Sequence, residues 1–356
     1  MMAKRTHFAF LFLFLGLISF QPLHSSSSYL APSHIDPNAE ANSRSNEDLL
    51  SRFNIKELFE QKFAPLRPVE ETAKFKYLLM SGYHYNNDFT MKRLIVENLP
   101  KDIILVLLMT PEDEEAVVKK FGEWIPAKRI ITVKHADAKK GFWARDAYPF
   151  PVYLKNGRDI GLVSARYFRQ FEAYGSLADA VQAPVVRSRL YLVGGNVLAD
   201  EKGRCFSVGS ARLYNLNGAQ LKELYGCKTT TILPWITGIG DVDEVLKPLP
   251  NNVMLTTEKQ YVHTLESLGY NVTMLPKSTG YRTYANSLII GKTVFMPSYS
   301  SEQDAAAVAV YEGLGYKVVP VESTGISDNW TGSIHCFTMA YPDISLDKLV
   351  KAITQN

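Results

Sequence analysis

The sequence predicts a closed, propeller-like α/β ring of five pseudosymmetric strand–helix–strand modules, and three observations point to it. Five polar loops recur along the chain: Phe142-Trp143-Ala144-Arg145-Asp146, Gly194-Gly195-Asn196, Gly240-Asp241-Val242-Asp243-Glu244, Tyr284-Ala285-Asn286-Ser287 and Gly332-Ser333-Ile334-His335-Cys336. Their key residues Asp146, Asn196, Asp243, Asn286 and Cys336 follow one another at steps of 43 to 50 residues, a period that signals stacked or ring-like units. Each loop follows a β-like apolar run, a helix-like run and a second β-like run. Solenoid units repeat the same scaffold residues, whereas these loops differ from one another, as they do when each adds a different part to one shared site.

The elements follow in order. Residues 75–80 open the first unit, and 103–109 form an apolar run closed by Thr110-Pro111-Glu112, a capping residue and an N1 proline ahead of a helix. Residues 130–133, rich in β-branched side chains, return as a strand. The second unit is least regular, with 160–163 and 185–186 recognisable as strands. The third offers strands at 205–208 and 229–234 around a helix at 219–225. The fourth and fifth are most alike. Strands at 253–255 and 294–296 lead to helices that end in Gly269-Tyr270 and Gly315-Tyr316, where glycine supplies the positive φ of a left-handed cap before the next strand.

Residues 74–356 thus form the repeat domain, and 26–73 read as a flexible N-terminus with one amphipathic helix, carrying Leu49, Leu50, Phe53, Leu58, Phe59 and Phe63. Residues 1–25 have the order of an export signal: Lys4 and Arg5, an apolar stretch over 8–20, then a polar stretch running into Ser25 to Ser28. That apolar stretch is shorter than the roughly 20 residues a membrane span needs, so the expected product is secreted or periplasmic, with no stable span after signal removal. At 46% hydrophobic and 21% charged the chain is composed like a globular protein with a substantial core. Its net charge of +3 is spread without basic runs, which sets a nucleic-acid partner aside.

Three cysteines in an oxidising compartment leave at least one thiol unpaired. Cys205 and Cys227 flank one helix-like segment and are either a disulfide or two buried thiols, with Cys336 the odd one out. His84, His135 and His263 lack metal-ligand spacing, so neither a metal nor another cofactor is implied.

Taken in order, Trp143-Ala144-Arg145-Asp146, Gly194-Gly195-Asn196, Gly240-Asp241-Val242-Asp243, Asn286 and Gly332-Ser333-Ile334-His335-Cys336 resemble the guanidine-modifying hydrolases of the pentein superfamily. The likeness runs from about residue 75 to the C-terminus and is to the secreted bacterial peptidylarginine deiminases and the agmatine deiminases. It implies a five-bladed propeller, a Cys336 nucleophile, a guanidinium grip by Asp146 and Asp243, and site residues at Asn286 and beside Asn196. It also implies that Arg169 receives the carboxylate of a C-terminal arginine.

Physical chemistry agrees with that implication. A guanidinium is a flat, permanent cation with a fork of donors, so its site needs carboxylates that accept paired hydrogen bonds. Breaking its C–N bond needs a strong nucleophile such as a thiolate, and the bound cation itself favours that thiolate. Trp143 and Trp330 are candidate walls for the substrate's stem. The departure is Asp241, where the resemblance calls for histidine as general acid and base. An aspartate ionises near pH 3.9 and is a poor acid at neutral pH, unless Asp241 and Asp243 share a proton. The expected function is conversion of peptidyl-arginine to peptidyl-citrulline and ammonia, with agmatine deimination or non-catalytic arginyl-peptide binding as alternatives. His335, next to Cys336 in an apparent strand, is expected to face the opposite side as a structural residue.

Overall fold

The structure is a computed structural model that describes residues 35–354 apart from 59–64, 85, 87, 156, 169–184, 210–213, 215, 237–239 and 278. The export-signal segment and Arg169 lie outside the described residues.

The chain enters through helix α1 (Ala39–Arg52) and strand β1 (Pro65–Pro68). Strands β2 (Phe75–Ser81), β3 (Ile104–Met109) and β4 (Ile130–Lys134) run parallel, joined through helices α2 (Thr90–Glu97) and α3 (Glu114–Gly122). Strand β3 reads Ile-Leu-Val-Leu-Leu-Met, the continuous apolar run of a parallel strand buried on both faces.

Each of the next four units starts with a short strand directly after a polar loop. They are β5 (Phe150–Leu154), β8 (Leu198–Ala199), β11 (Leu246–Leu249) and β14 (Leu288–Ile290). Each pairs antiparallel with the following strand: β6 (Ile160–Arg166), β9 (Arg204–Gly209), β12 (Val253–Thr256) and β15 (Thr293–Ser298). A parallel partner completes each trio: β7 (Val185–Tyr191), β10 (Thr229–Pro234), β13 (Asn271–Met274) and β16 (Lys317–Glu322). Helices α5 (Gly218–Tyr225), α6 (Val262–Ser267) and α7 (Gln303–Gly313) make the last three crossovers. After helix α8 (Thr324–Trp330), strand β17 (Thr338–Pro342) pairs antiparallel with β2, so the end of the chain completes the sheet begun near its start. Helix α9 (Leu346–Thr354) follows.

The described strands form five separate sheets in a mixed α/β fold. The expected module thus gains a strand, and the polar loop always sits just ahead of the added one. At two to five residues these strands are too short to show a period of their own.

Local chemistry explains the helix ends. Asn217 accepts from the main-chain N–H of Ala219 and Gln220, while the Gln220 side chain accepts from the Asn217 N–H, a reciprocal cap that starts α5. Gly269 and Gly315 adopt φ of 85° and 83°, the left-handed geometry expected of them. Cys205 on β9 is bonded to Cys227 just beyond α5, which resolves their pairing, and Cys336 is the free thiol.

Two segments ahead of residue 74 pack on the body. Pro65–Pro68 pairs with β5 at the edge of the second sheet, where a proline costs no ladder hydrogen bond. Asn46 of α1 donates to the carbonyl oxygens of Tyr191 and Tyr214 and accepts the Tyr191 N–H, which ties the helix to the body. Among the described residues, no helix is long and apolar enough to cross a membrane.

Candidate active site

The five loops meet. Asp146 belongs to the single-turn helix α4 (Ala144–Ala147), and its Oδ1 accepts the Gly195 N–H at 2.9 Å. A methyl group added at Gly195 would lie 3.2 Å from an oxygen of Asp241 and 3.2 Å from one of Asp243, so this loop lies flat against both carboxylates. Asp243 Oδ2 stands 3.7 Å from Cys336 Sγ, and Asn286 donates to the same sulfur at 3.1 Å. The Arg145 N–H donates to the Cys336 carbonyl, which joins the first loop to the last. Cys336, Asp241 and Asp243 are fully buried, and Asp146 is 6% exposed.

Close packing fixes these positions. A Cβ at Gly194 would stand 2.1 Å from the Arg145 carbonyl oxygen, which only displacement of one loop relieves. Gly194→Ala should cost about 1–3 kcal/mol of stability, as overpacking does. It should cut any turnover about 100-fold, because the loop that carries Asp146 moves. Thermal unfolding and an assay of ureido product check the two effects.

Residues 332–337 form a turn and not a strand, so the alternation expected of His335 and Cys336 does not hold. Asn286 Oδ1 accepts the His335 N–H at 3.1 Å and secures this turn. The imidazole faces Asp243, with Nδ1 at 2.6 Å from Oδ2, and its Nε2 reaches Glu71 Oε2 at 2.7 Å. Glu71, in the supposedly flexible N-terminus, also takes Lys247 Nζ at 3.1 Å and has the Arg145 guanidinium at 3.8 Å. Burial pushes the Glu71 carboxyl up, but His335, Lys247 and Arg145 outweigh it and hold the group well below the usual carboxylate range. Arg145 and Asp146 are both buried.

Other expected residues have different parts. The Asn196 side chain bonds to the main chain at Val208, through both its N–H and its carbonyl, and to the Val242 N–H, so its amide shapes the loop. Trp143 is fully buried, its ring lying where a methyl at Gly332 would come within 2.8 Å; it backs the Cys336 turn. Trp330, half-buried at the end of α8, packs against the largest apolar cluster. Among the described residues no group of three His, Cys, Asp or Glu is able to hold a metal ion.

Burial, and then the charges of Asp243, Glu244 and Asp146, push the Cys336 thiol well up, against a backbone hydrogen bond at Ser333 that favours the thiolate. Unoccupied by a cation, the site therefore keeps its thiol protonated. A flat cation seated among the carboxylates reverses the electrostatic contribution and favours the nucleophilic thiolate.

Residues 242–342, from the Asp243 loop to β17, match the family described as Porphyromonas-type peptidyl-arginine deiminase. No curated protein gives a significant match to the chain. Among solved structures, the agmatine deiminase of C. jejuni superposes with a TM-score of 0.63 at 17% identity, over 78% of this chain and 96% of that one. The agmatine deiminase of Enterococcus faecalis gives 0.58 at 15% identity, over 81% and 97%. A Porphyromonas gingivalis structure provisionally named an arginine deiminase gives 0.59 at 18% identity, over 78% and 98%. The chain therefore has the pentein-type α/β fold of these deiminases, and its residues 242–342 match the Porphyromonas-type peptidyl-arginine deiminase family.

Proposed function

We propose that the chain is a guanidine-directed hydrolase that converts peptidyl-arginine to peptidyl-citrulline and ammonia, its five sheets arranged as blades around the site. The carrying observation is the meeting of Cys336 Sγ with Asp243 and Asn286, and of Asp146 with Asp243 across Gly195. Asp146 and Asp243 accept the guanidinium N–H groups and hold its carbon against the sulfur. Cys336 Sγ bonds to that carbon, the C–N bond breaks, and ammonia leaves with the thiol's proton relayed through the aspartates at 241 and 243. Water then adds to the amidino carbon and the C–S bond breaks. The thiol regains one proton, a second goes to ammonia, and a neutral ureido group remains.

A peptide substrate and an exported protein are supported by the family matched over residues 242–342, the signal-like order of residues 1–25 and the Cys205–Cys227 disulfide. Agmatine is the small-molecule comparator, since agmatine deiminases share the fold. Asp241 in place of histidine supports a second reading, a binding protein for arginyl peptides that no longer turns over.

Incubation with arginyl peptide, free arginine and agmatine, read as ureido colour, separates these outcomes. The wild type should form citrulline on the peptide, and Cys336→Ala should form none. Product from agmatine alone reassigns the substrate. Peptide binding without product from the wild type at any pH establishes the binding reading.

A further inference from the structure

We propose that His335 is a positioning residue that stores, between its Nδ1 and Asp243, the proton delivered to the leaving nitrogen; the inference rests on the deiminase reading above. Asp243 Oδ2 is the shared atom, 2.6 Å from His335 Nδ1 and 3.7 Å from Cys336 Sγ. On the far side, His335 Nε2 lies 2.7 Å from Glu71 Oε2, and Glu71 is kept ionised by Lys247 and Arg145. Nε2–H therefore donates to Glu71. That leaves Nδ1 and the Asp243 oxygen to divide one proton, as imidazolium with carboxylate or as imidazole with carboxylic acid.

The charged and titratable groups around the ring are Glu71 from the segment before β2, Asp243 with Glu244 beyond it, the Cys336 thiol, and Lys247 and Arg145 behind Glu71. The loop of Gly240 to Glu244 carries no imidazole, and Asp241 by itself is a poor acid at neutral pH. Because residues 332–337 turn, the nucleophile and the proton store both face one carboxylate.

The proton count closes. As the C–S bond forms, the thiol proton passes to the pair, and the proton already held there passes from Asp243 to the departing nitrogen as the C–N bond breaks. In hydrolysis one water proton follows the reverse path through Asp243 to the sulfur and the other goes to the released ammonia, so the pair ends as it began.

His335→Asn and His335→Gln test this, since each amide retains a donor toward one partner but stores no proton. With arginyl peptide, kcat should fall at least about 100-fold while KM changes less than about threefold, and the alkaline limb of the kcat profile should disappear. In a Cys336→Ala background, calorimetric affinity for the peptide should be unaltered by His335→Asn. Nitrogen NMR of histidine-labelled wild type should show a far-downfield proton on a ring Nδ1 at neutral pH, absent from His335→Asn; this reads the store even where a variant folds poorly. Amide variants with wild-type kcat and an intact alkaline limb overturn the relay and leave the deiminase reading standing. So does a wild type without the downfield proton. A wild type that binds peptide but never forms product overturns the deiminase reading, and the relay with it.

Discussion

Replacing Asp241 with histidine should raise kcat for an arginyl substrate about 100-fold near neutral pH, the lower end of what a well-placed general acid contributes. Asp241 is fully buried, and its carboxylate lies beside Gly195 together with that of Asp243, in the loop that meets Cys336. An imidazole there holds a proton to about pH 6.5 before any neighbour acts, and the surrounding carboxylates favour its charged form. The gain stays at the low end because the carboxylate cluster already handles part of the proton traffic. Steady-state rates across pH, with circular dichroism to verify folding, decide the matter: a folded Asp241→His chain no faster than wild type places the acid elsewhere.

Glu71→Ala should destabilise the fold by about 3–5 kcal/mol, the cost of leaving buried charge uncompensated. Lys247 is fully buried, and Glu71 is the carboxylate 3.1 Å from its ammonium; His335 and Arg145 lean on the same group. Glu71→Gln retains the shape and isolates the charge. The wild-type carboxyl is depressed from its ordinary 4.5, so its contribution is fully present above pH 4.5 and is lost as pH falls through the lower native value. Denaturant unfolding from pH 7 to 3 should show the wild-type advantage over Glu71→Gln constant above about pH 4.5 and shrinking below it. An advantage that grows in acid would contradict the charge assignment.

Much of the architecture was legible because apolar runs with β-branched residues announce parallel strands, the buried β3 and the half-buried edge strand β4 alike. The helix ends at Gly269 and Gly315 were legible for the same local reason. Strand β8, two residues long, was not, since no periodicity exists over two positions. Strand β1, with prolines at both ends, read as part of the flexible N-terminus because its role depends on an edge position that only tertiary structure defines. Cys336, Asp146, Asp243 and Asn286, which the structure brings together, were singled out by the recurrence of their loops. His335 was expected to face away from Cys336 because Ile334 and Phe337 make the run look like a strand, whereas both side chains meet Asp243. Glu71 and Lys247 carried no signal: each is a lone charge in an unremarkable stretch, and they meet across a separation of 176 residues.

The pairing of β17 with β2 dictates an order of events during synthesis. The first sheet emerges from the ribosome with a vacant margin, and residues 338–342 fill it only after the four intervening units have been made. Because Cys336 lies two residues ahead of that strand, the sulfur proposed as nucleophile is set in place only when the margin is filled.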